Sequence, residues 1–133
     1  MPHLSRRAIL VIGFVIGLAL WLIPATFLNQ AEPWDGNGPA YPIALLCSGL
    51  LLGFLGPGRP GAAAAGVFLG QLAVLMWRVV TSPENSELWL IGVVMLAGYT
   101  FVATGLGALV ASLLRRRLSS EPRADRRVSD RRV

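Results

Sequence analysis

The sequence predicts an all-α integral membrane protein: a four-helix bundle with both termini in the cytoplasm and a disordered basic C-terminal tail. Three observations lead to this fold class. Of the 133 residues, 54% are hydrophobic and only 14% are charged, whereas about 25% of residues are charged in soluble domains. The apolar residues form long unbroken runs, which are typical of membrane spans. Almost all arginines fall on one side of the resulting helix map.

Four apolar segments are predicted to span, at residues 8–27, 41–55, 61–80 and 88–114. A span of about 20 residues gives about 30 Å of helix, enough to cross the hydrocarbon core. The second segment is shorter and spans only if it stands upright or the bilayer thins, while the fourth must tilt or project. Proline and glycine separate the segments, as in the turn "GPGRPG". Residues 1–114 form the predicted transmembrane domain and residues 115–133 the Arg-rich tail.

The positions of the arginines predict the orientation of these helices. One side of the map holds eleven arginines: Arg6, Arg7, Arg59 and eight beyond residue 114. The opposite connections hold four acidic residues and no basic residue, so the positive-inside rule puts both termini in the cytoplasm. Trp34, Tyr41, Trp77 and Trp89 then form an outer aromatic belt.

The composition also bears on location and on the first segment. All 12 basic residues are arginine, a bias typical of GC-rich bacterial genomes, and we expect a bacterial inner membrane. A cleaved signal peptide is the alternative for the first segment. Its apolar run is longer than the usual core of about 7–15 residues and lacks a clean A-x-A cleavage site, so a permanent span is favoured.

Small residues spaced four apart predict where the helices pack closely, because lipid offers no hydrophobic driving force for association. Three segments carry pairs of this kind, and the fourth carries Ala103, Gly107 and Ala111. The candidate packing glycines are Gly13, Gly17, Gly49, Gly53, Gly66, Gly70 and Gly107. Whether these faces meet within one chain or between chains stays open.

Gln71 is the most unusual polar residue, because it falls near the middle of the third segment. An amide at that depth needs partners inside the protein. We expect it to face the bundle interior in a polar layer with hydroxyl groups of the second and fourth segments. The candidates are Ser48, Tyr99, Thr100 and Thr104. Interhelical hydrogen bonding is the favoured interpretation and a solute pathway the alternative.

Arg78 lies at the outer end of the third segment, seven residues and two helical turns from Gln71. A long arginine stem there reaches the headgroups at modest cost. We therefore predict an interfacial anchor that pairs with lipid phosphate or with Glu84 or Glu87, in preference to a substrate-binding arginine.

The residues available for chemistry exclude several functions. No Asp, Glu, Lys or His lies in the middle of a predicted span, and Cys47 is the only cysteine. No nucleophile has a base, and no cluster fits a metal, so we predict no catalytic residues, no metal site, no cofactor and no enzyme. The leading hypothesis is a non-catalytic accessory, scaffold or assembly subunit of a membrane complex. The alternative is a small homo-oligomeric channel or carrier with Gln71 in its polar layer.

The expected partners follow from the same features. They are the lipid bilayer, anionic headgroups that contact the Arg-rich tail, and a membrane protein or a second copy of the chain. Nucleic acid is not expected, because the basic tail belongs to no folded nucleic-acid-binding module.

Overall fold

The computed structural model of the chain describes residues 4–27, 39–81 and 89–120. Within these ranges the protein is all-helical, with α1 at Arg6–Phe27, α2 at Ala40–Leu55, α3 at Pro60–Thr81 and α4 at Trp89–Ser120. Three helices, α1, α3 and α4, are long and apolar enough to cross a membrane, whereas α2 is a shorter apolar helix of 16 residues. The predicted belt residue Trp34, the acidic residues Glu84 and Glu87, and the tail from residue 121 lie outside the described residues.

Local chemistry explains where these helices begin and end. The Ser5 hydroxyl accepts the backbone N–H of Ala8 at 3.2 Å, which caps the start of α1. Between α2 and α3, Gly58 has a φ of 79°, a left-handed conformation that glycine adopts without strain. Pro60 follows as the first residue of α3, where its missing N–H costs no helical hydrogen bond.

Helix α4 ends at Ser120 and therefore continues past residue 114, the end of the predicted span. Arginine and leucine are both good helix formers, so the residues after the apolar run keep the helical conformation. The first six residues of the predicted tail, 115–120, are consequently helical.

The helices pack in non-consecutive pairs: α1 lies against α3, α2 against α4, and α3 joins the two pairs through α4. In the first pair, a Cβ on Gly13 would lie 3.1 Å from the Cα of Gly66, and a Cβ on Gly70 would lie 3.0 Å from the Cα of Gly17. Residue numbers rise together along both helices, so the two helices run parallel. The small-residue faces thus bring the two backbones into contact within one chain.

The second pair, α2 and α4, also packs through small residues that let the two backbones approach closely. Gly49 faces the backbone of Thr104, and Gly53 faces Ala108, to whose carbonyl oxygen a Cβ would approach within 2.7 Å. Gly107 faces the Leu46–Leu50 turn of α2 in return. Close backbone approach of this kind is the usual basis of helix association in membranes, where van der Waals contact replaces the hydrophobic effect.

Candidate functional site

The candidate site is centred on Gln71, halfway along α3 and completely buried at 0% exposure. A Cβ on Gly17 would lie 3.1 Å from the backbone nitrogen of Gln71, so α1 seals one side of this position. Helix α4 supplies the neighbouring side chains Thr100 and Thr104, which are also 0% exposed. The tight packing of the α1–α3 pair therefore directs the Gln71 side chain away from the outer surface and into the interior.

Two hydroxyl groups hold the Gln71 amide. The Tyr41 hydroxyl donates a hydrogen bond to Gln71 Oε1 at 2.7 Å, and Thr100 Oγ1 donates to the same oxygen at 3.1 Å. These bonds connect α3 to both α2 and α4 and use both lone pairs of the carbonyl oxygen. The amide nitrogen, Gln71 Nε2, is buried and has no hydrogen-bond partner among the described residues.

The other predicted members of the polar layer have different partners. Ser48 is buried, and its hydroxyl donates to the Leu45 carbonyl of its own helix at 2.8 Å. Thr104 Oγ1 donates to the same carbonyl at 3.4 Å. The structure thus brings Gln71 and Thr100 together, whereas Thr104 joins α4 to α2 at the Leu45 carbonyl, which also accepts the Ser48 hydroxyl of its own helix.

Tyr99 does not hydrogen-bond to the Gln71 amide, in contrast to the prediction. Its side chain is 42% exposed, and its ring packs edge-on against the Tyr41 ring, with 6.3 Å between the centroids and 65° between the planes. Consecutive residues of a helix point in different directions, so burial of Thr100 turns Tyr99 outward. The Tyr99 hydroxyl makes no hydrogen bond to any residue in the described ranges.

Tyr41 is the site residue that sequence reasoning missed. The sequence assigns it to the outer aromatic belt, but its side chain is only 6% exposed and binds the central amide. An aromatic residue at the end of an apolar run has the same sequence signature whether it lies at the membrane surface or in the interior of the bundle. The signal that distinguishes them is the length of α2, which has 16 residues against 22 in α3.

Arg78 lies above the site on α3, two turns beyond Gln71. Its Cζ is 5.5 Å from the ring centroid of Trp21, and Trp21 is 2% exposed. A guanidinium at that distance from an indole face is attracted by the ring quadrupole. Trp21 in turn lies beside the Tyr41 hydroxyl, so the arginine, the indole and the buried amide form one connected group. The expected acidic partners Glu84 and Glu87 lie outside the described residues.

The chemistry of this group is hydrogen bonding between neutral side chains. Gln71, Tyr41 and Thr100 supply hydroxyl and amide groups, and Arg78 supplies the charge next to them among the described residues. Within the described ranges no three His, Cys, Asp or Glu side chains come together as metal ligands. Cys47, the free cysteine, is exposed on α2 and takes no part in the group.

A second feature lies on the outer face of the α2–α4 pair. It is a groove of about 660 Å³ with apolar walls, which we call the α2–α4 groove. A Cβ on Gly98 would meet nothing within 4 Å, and the Tyr99 hydroxyl is the side-chain polar group in the wall. The lining residues are Pro42, Ile43, Leu46, Val94, Met95, Gly98, Tyr99, Val102, Ala103 and Leu106.

Comparison with known proteins adds no family to this geometry. No family model matches the chain, and no curated protein and no solved structure was found to be similar to it.

Proposed function

We propose that this chain is a non-catalytic accessory, scaffold or assembly subunit of a membrane complex, with four spans in a bacterial inner membrane. The observation that carries the proposal is the α2–α4 groove and its Tyr99 hydroxyl. A transmembrane helix of another subunit is the occupant that fits this surface, for the two reasons that follow.

The first reason is the depth of Tyr99. It follows the first residue of α4 by ten residues, which is about 15 Å along the helix axis. When α4 spans, the hydroxyl lies in the hydrocarbon region, where water supplies no hydrogen bond and an unsatisfied group is costly. No described residue accepts this hydroxyl, and a carbonyl or polar side chain of a second helix would do so.

The second reason is the space beside Gly98. Its missing side chain leaves the backbone of α4 open at the same level as Tyr99. Helices in membranes associate where small residues allow such an approach and where polar side chains bond across the contact. Both features occur at adjacent positions on the wall of one groove.

Site-specific photocross-linking tests this proposal in intact membranes. A photoreactive side chain at Val94 or Val102, both in the wall of the groove, should give one protein adduct that mass spectrometry identifies as the same integral membrane protein. Val11 and Val15 on α1 are matched controls, because their side chains are 63% and 58% exposed, against 67% and 62% for Val94 and Val102.

Tyr99→Phe makes the test specific, since it keeps the ring and removes the hydroxyl. The adduct yield at Val102 should fall about threefold, the equivalent of one average hydrogen bond between membrane helices. Lipid adducts alone at all four positions would refute the subunit proposal. An adduct of two copies of the 14.2 kDa chain would replace it by a homo-oligomer.

A channel or carrier is the second candidate, and the observation in its favour is that Gln71 Nε2 has no hydrogen-bond partner among the described residues. A passing solute or water would accept a hydrogen bond from this nitrogen. Cysteine accessibility separates the two functions, in a Cys47→Ala background that removes the exposed native thiol. A cysteine at Thr100 should stay unreactive towards a charged thiol reagent in a scaffold, whereas rapid labelling would favour transport.

We also place both termini on the cytoplasmic side, with anionic headgroups next to them. The contacts of Arg59 with Leu4 and of Arg115 with Phe54 support a single basic end, because they bring the start of α1, the α2–α3 turn and the arginines of α4 together. That end carries the arginines that the positive-inside rule assigns to the cytoplasm.

A further inference from the structure

The contact between α2 and α4 is symmetric. A Cβ on Gly49 would meet the carbonyl oxygen of Thr104, and a Cβ on Gly107 would meet the carbonyl oxygen of Leu46. Gly107 follows Gly49 by 58 positions, and Thr104 follows Leu46 by the same number. Reciprocal contacts of this kind define an approximate twofold axis. Because the two helices are parallel, the axis runs along the pair, and a half-turn about it exchanges α2 with α4.

The same half-turn exchanges the two faces of the α2–α4 pair. One face packs against α3, and we call it the inner face; the other carries the α2–α4 groove. Each groove residue therefore corresponds to a residue of the inner face that lies 58 positions away on the other helix. The correspondences that matter most are those of Tyr99 with Tyr41, of Pro42 with Thr100 and of Ile43 with Phe101.

All three counterparts on the inner face contact α3. The Tyr41 hydroxyl and Thr100 Oγ1 donate hydrogen bonds to Gln71 Oε1 at 2.7 Å and 3.1 Å. The centroid of the Phe101 ring lies 5.6 Å from that of the Phe68 ring. The inner face thus binds one helix, α3, and its tyrosine donates to an amide halfway along that helix.

The groove repeats this tyrosine on the outer face of the pair. Tyr99 is 42% exposed, whereas its counterpart Tyr41 is 6% exposed beside α3. Pro42 lies where the inner face has Thr100, so the Tyr99 hydroxyl is the side-chain group of this wall that can bond an occupant. A helix that fits the groove as α3 fits the inner face needs one acceptor at the level of Tyr99.

The symmetry also sets the direction of such a helix. A Cβ on Gly92 of α4 would lie 3.9 Å from Leu75 Cδ2 of α3, and Phe101 of α4 packs against Phe68 of α3. Residue numbers fall along α4 as they rise along α3, so these two helices are antiparallel. A half-turn about an axis along the helices keeps their directions. An occupant placed like α3 therefore also runs antiparallel to α4.

We infer that the α2–α4 groove is a second docking face of the kind that α3 occupies. Its occupant is a transmembrane helix of another subunit that runs antiparallel to α4 and presents an Asn or Gln amide to Tyr99. The groove is continuous with the α3 interface, since the same two helices form both faces. An amide oxygen accepts the hydroxyl proton without placing a charge in the bilayer.

This inference rests on the proposed function and gives the partner a stated chemistry. Helix α3 of a second copy does not supply the occupant, because its Gln71 is 0% exposed and bonded within its own chain. The partner is therefore a different protein whose helix carries its own amide.

Capture of a single helix by the full chain tests the inference. The probe is a peptide with the sequence of α3, residues 60–81, because it carries the amide that the groove should recognise. The purified chain with a photoreactive side chain at Val102 is reconstituted with this peptide in lipid bilayers and irradiated. We expect capture at Val102 and not at Val11 or Val15, the similarly exposed positions on α1.

A double-mutant cycle assigns the capture to the hydroxyl and the amide. A Gln71→Leu peptide should be captured about threefold less than the unmodified peptide, the equivalent of one average hydrogen bond between membrane helices. In a Tyr99→Phe chain the two peptides should be captured equally, because the hydroxyl that distinguishes them is gone. Tyr99→Phe changes an exposed side chain and leaves the interior contacts of the chain in place.

The labelled positions on the peptide report its direction. Val94 lies five residues before Tyr99 on α4, and Leu106 lies seven residues after it. In an antiparallel helix with its amide opposite Tyr99, a photoreactive side chain at Val94 should label the peptide near Met76 and one at Leu106 should label it near Ala64. The reverse order of labels would mean a parallel helix.

Four outcomes would overturn the inference. They are equal capture at Val102 and at the α1 positions, equal capture of the two peptides by the wild-type groove, a difference between the peptides that persists in the Tyr99→Phe chain, and the reverse order of labels. Absence of a protein adduct in intact membranes refutes the subunit proposal instead. The two failures are distinguishable, because the peptide experiment contains no other protein.

Discussion

Gly49→Ala offers the most direct test of the parallel helix pairs, because it adds one methyl group at the contact between α2 and α4. The new Cβ would lie 2.9 Å from the Cα of Thr104 and still closer to its carbonyl oxygen. Both atoms belong to the backbone of α4, so no side chain can rotate away. The two helices must move apart, and the contacts around Gly107 and Gly53 then weaken as well.

The expected magnitude combines two opposing effects. Overpacking of a well-packed interior costs about 1–3 kcal/mol, while replacing a helical glycine by alanine gains about 1 kcal/mol of helix propensity. Gly98→Ala and Gly105→Ala receive the same propensity gain, but a Cβ at either position meets nothing within 4 Å. The gain in helix propensity is therefore the same in Gly49→Ala and in the two control variants. The difference that remains is the cost of overpacking, so Gly49→Ala should be less stable than Gly98→Ala by about 1–3 kcal/mol.

Reversible unfolding in mixed micelles of mild detergent and dodecyl sulfate measures this difference, with tryptophan fluorescence as the signal. Gly17→Ala, which places a methyl group against the backbone of Val67, should repeat the result for the α1–α3 pair. If Gly49→Ala and Gly98→Ala unfold at the same detergent fraction, the close approach of α2 and α4 described above is wrong.

Three further predictions concern orientation, the amide and the outer arginine. Reporter fusions at Asn37 and Asn85 should report the periplasm and fusions at Arg59 and Val133 the cytoplasm, because the arginines divide so unequally; a cytoplasmic signal at Asn37 would reject the map. Gln71→Leu should lower the free energy of unfolding by about 1–3 kcal/mol, because the buried Tyr41 hydroxyl loses its acceptor. Adding Tyr41→Phe should recover part of this loss. An additive loss in the same micelle titration would contradict the hydrogen bond between the two side chains. Arg78→Lys should cost less than about 1 kcal/mol, because lysine also reaches the headgroups and the Trp21 face; a larger loss would point to a bidentate partner.

Hydropathy predicts the four helices well, because connections that contain proline, glycine or charged residues separate the apolar runs. The observed starts and ends of α1, α2 and α3 differ from the predicted ones by at most two residues. The end of α4 differs more, since apolarity marks where a helix leaves the bilayer and not where it stops. Arg115, Arg116 and Arg117 end the apolar run because they are charged. They nevertheless continue the helix, because arginine is a good helix former.

The choice of helix partners is harder to predict from the sequence. The small-residue pairs of α1 and α3 are nearly alike, as "GFVIG" and "GVFLG" show. Such a face can pack against any other face of the same kind, so spacing alone leaves all pairings open. In the structure α1 packs against α3 and α2 packs against α4, and α3 also packs against α4.

The depth of Tyr41 in the bundle follows from the lengths of α2 and α3 and from the contacts that fix the end of α2. Helix α2 has 16 residues and α3 has 22, so their lengths are about 24 Å and about 33 Å. At the basic end, the short α2–α3 turn and the bond from Leu4 to Leu55 keep the end of α2 level with its neighbours. The entire difference of about 9 Å must therefore appear at the opposite end, where α2 begins.

That displacement accounts for the partner of Gln71. The amide lies ten residues, or about 15 Å, below the outer end of α3 at Thr81. The start of α2 covers more than half of this depth, and the long phenol side chain of Tyr41 covers the remainder to reach Gln71 Oε1. A tyrosine that hydropathy assigns to the membrane surface thus becomes an interior hydrogen-bond donor, because its helix begins about 9 Å below the end of α3.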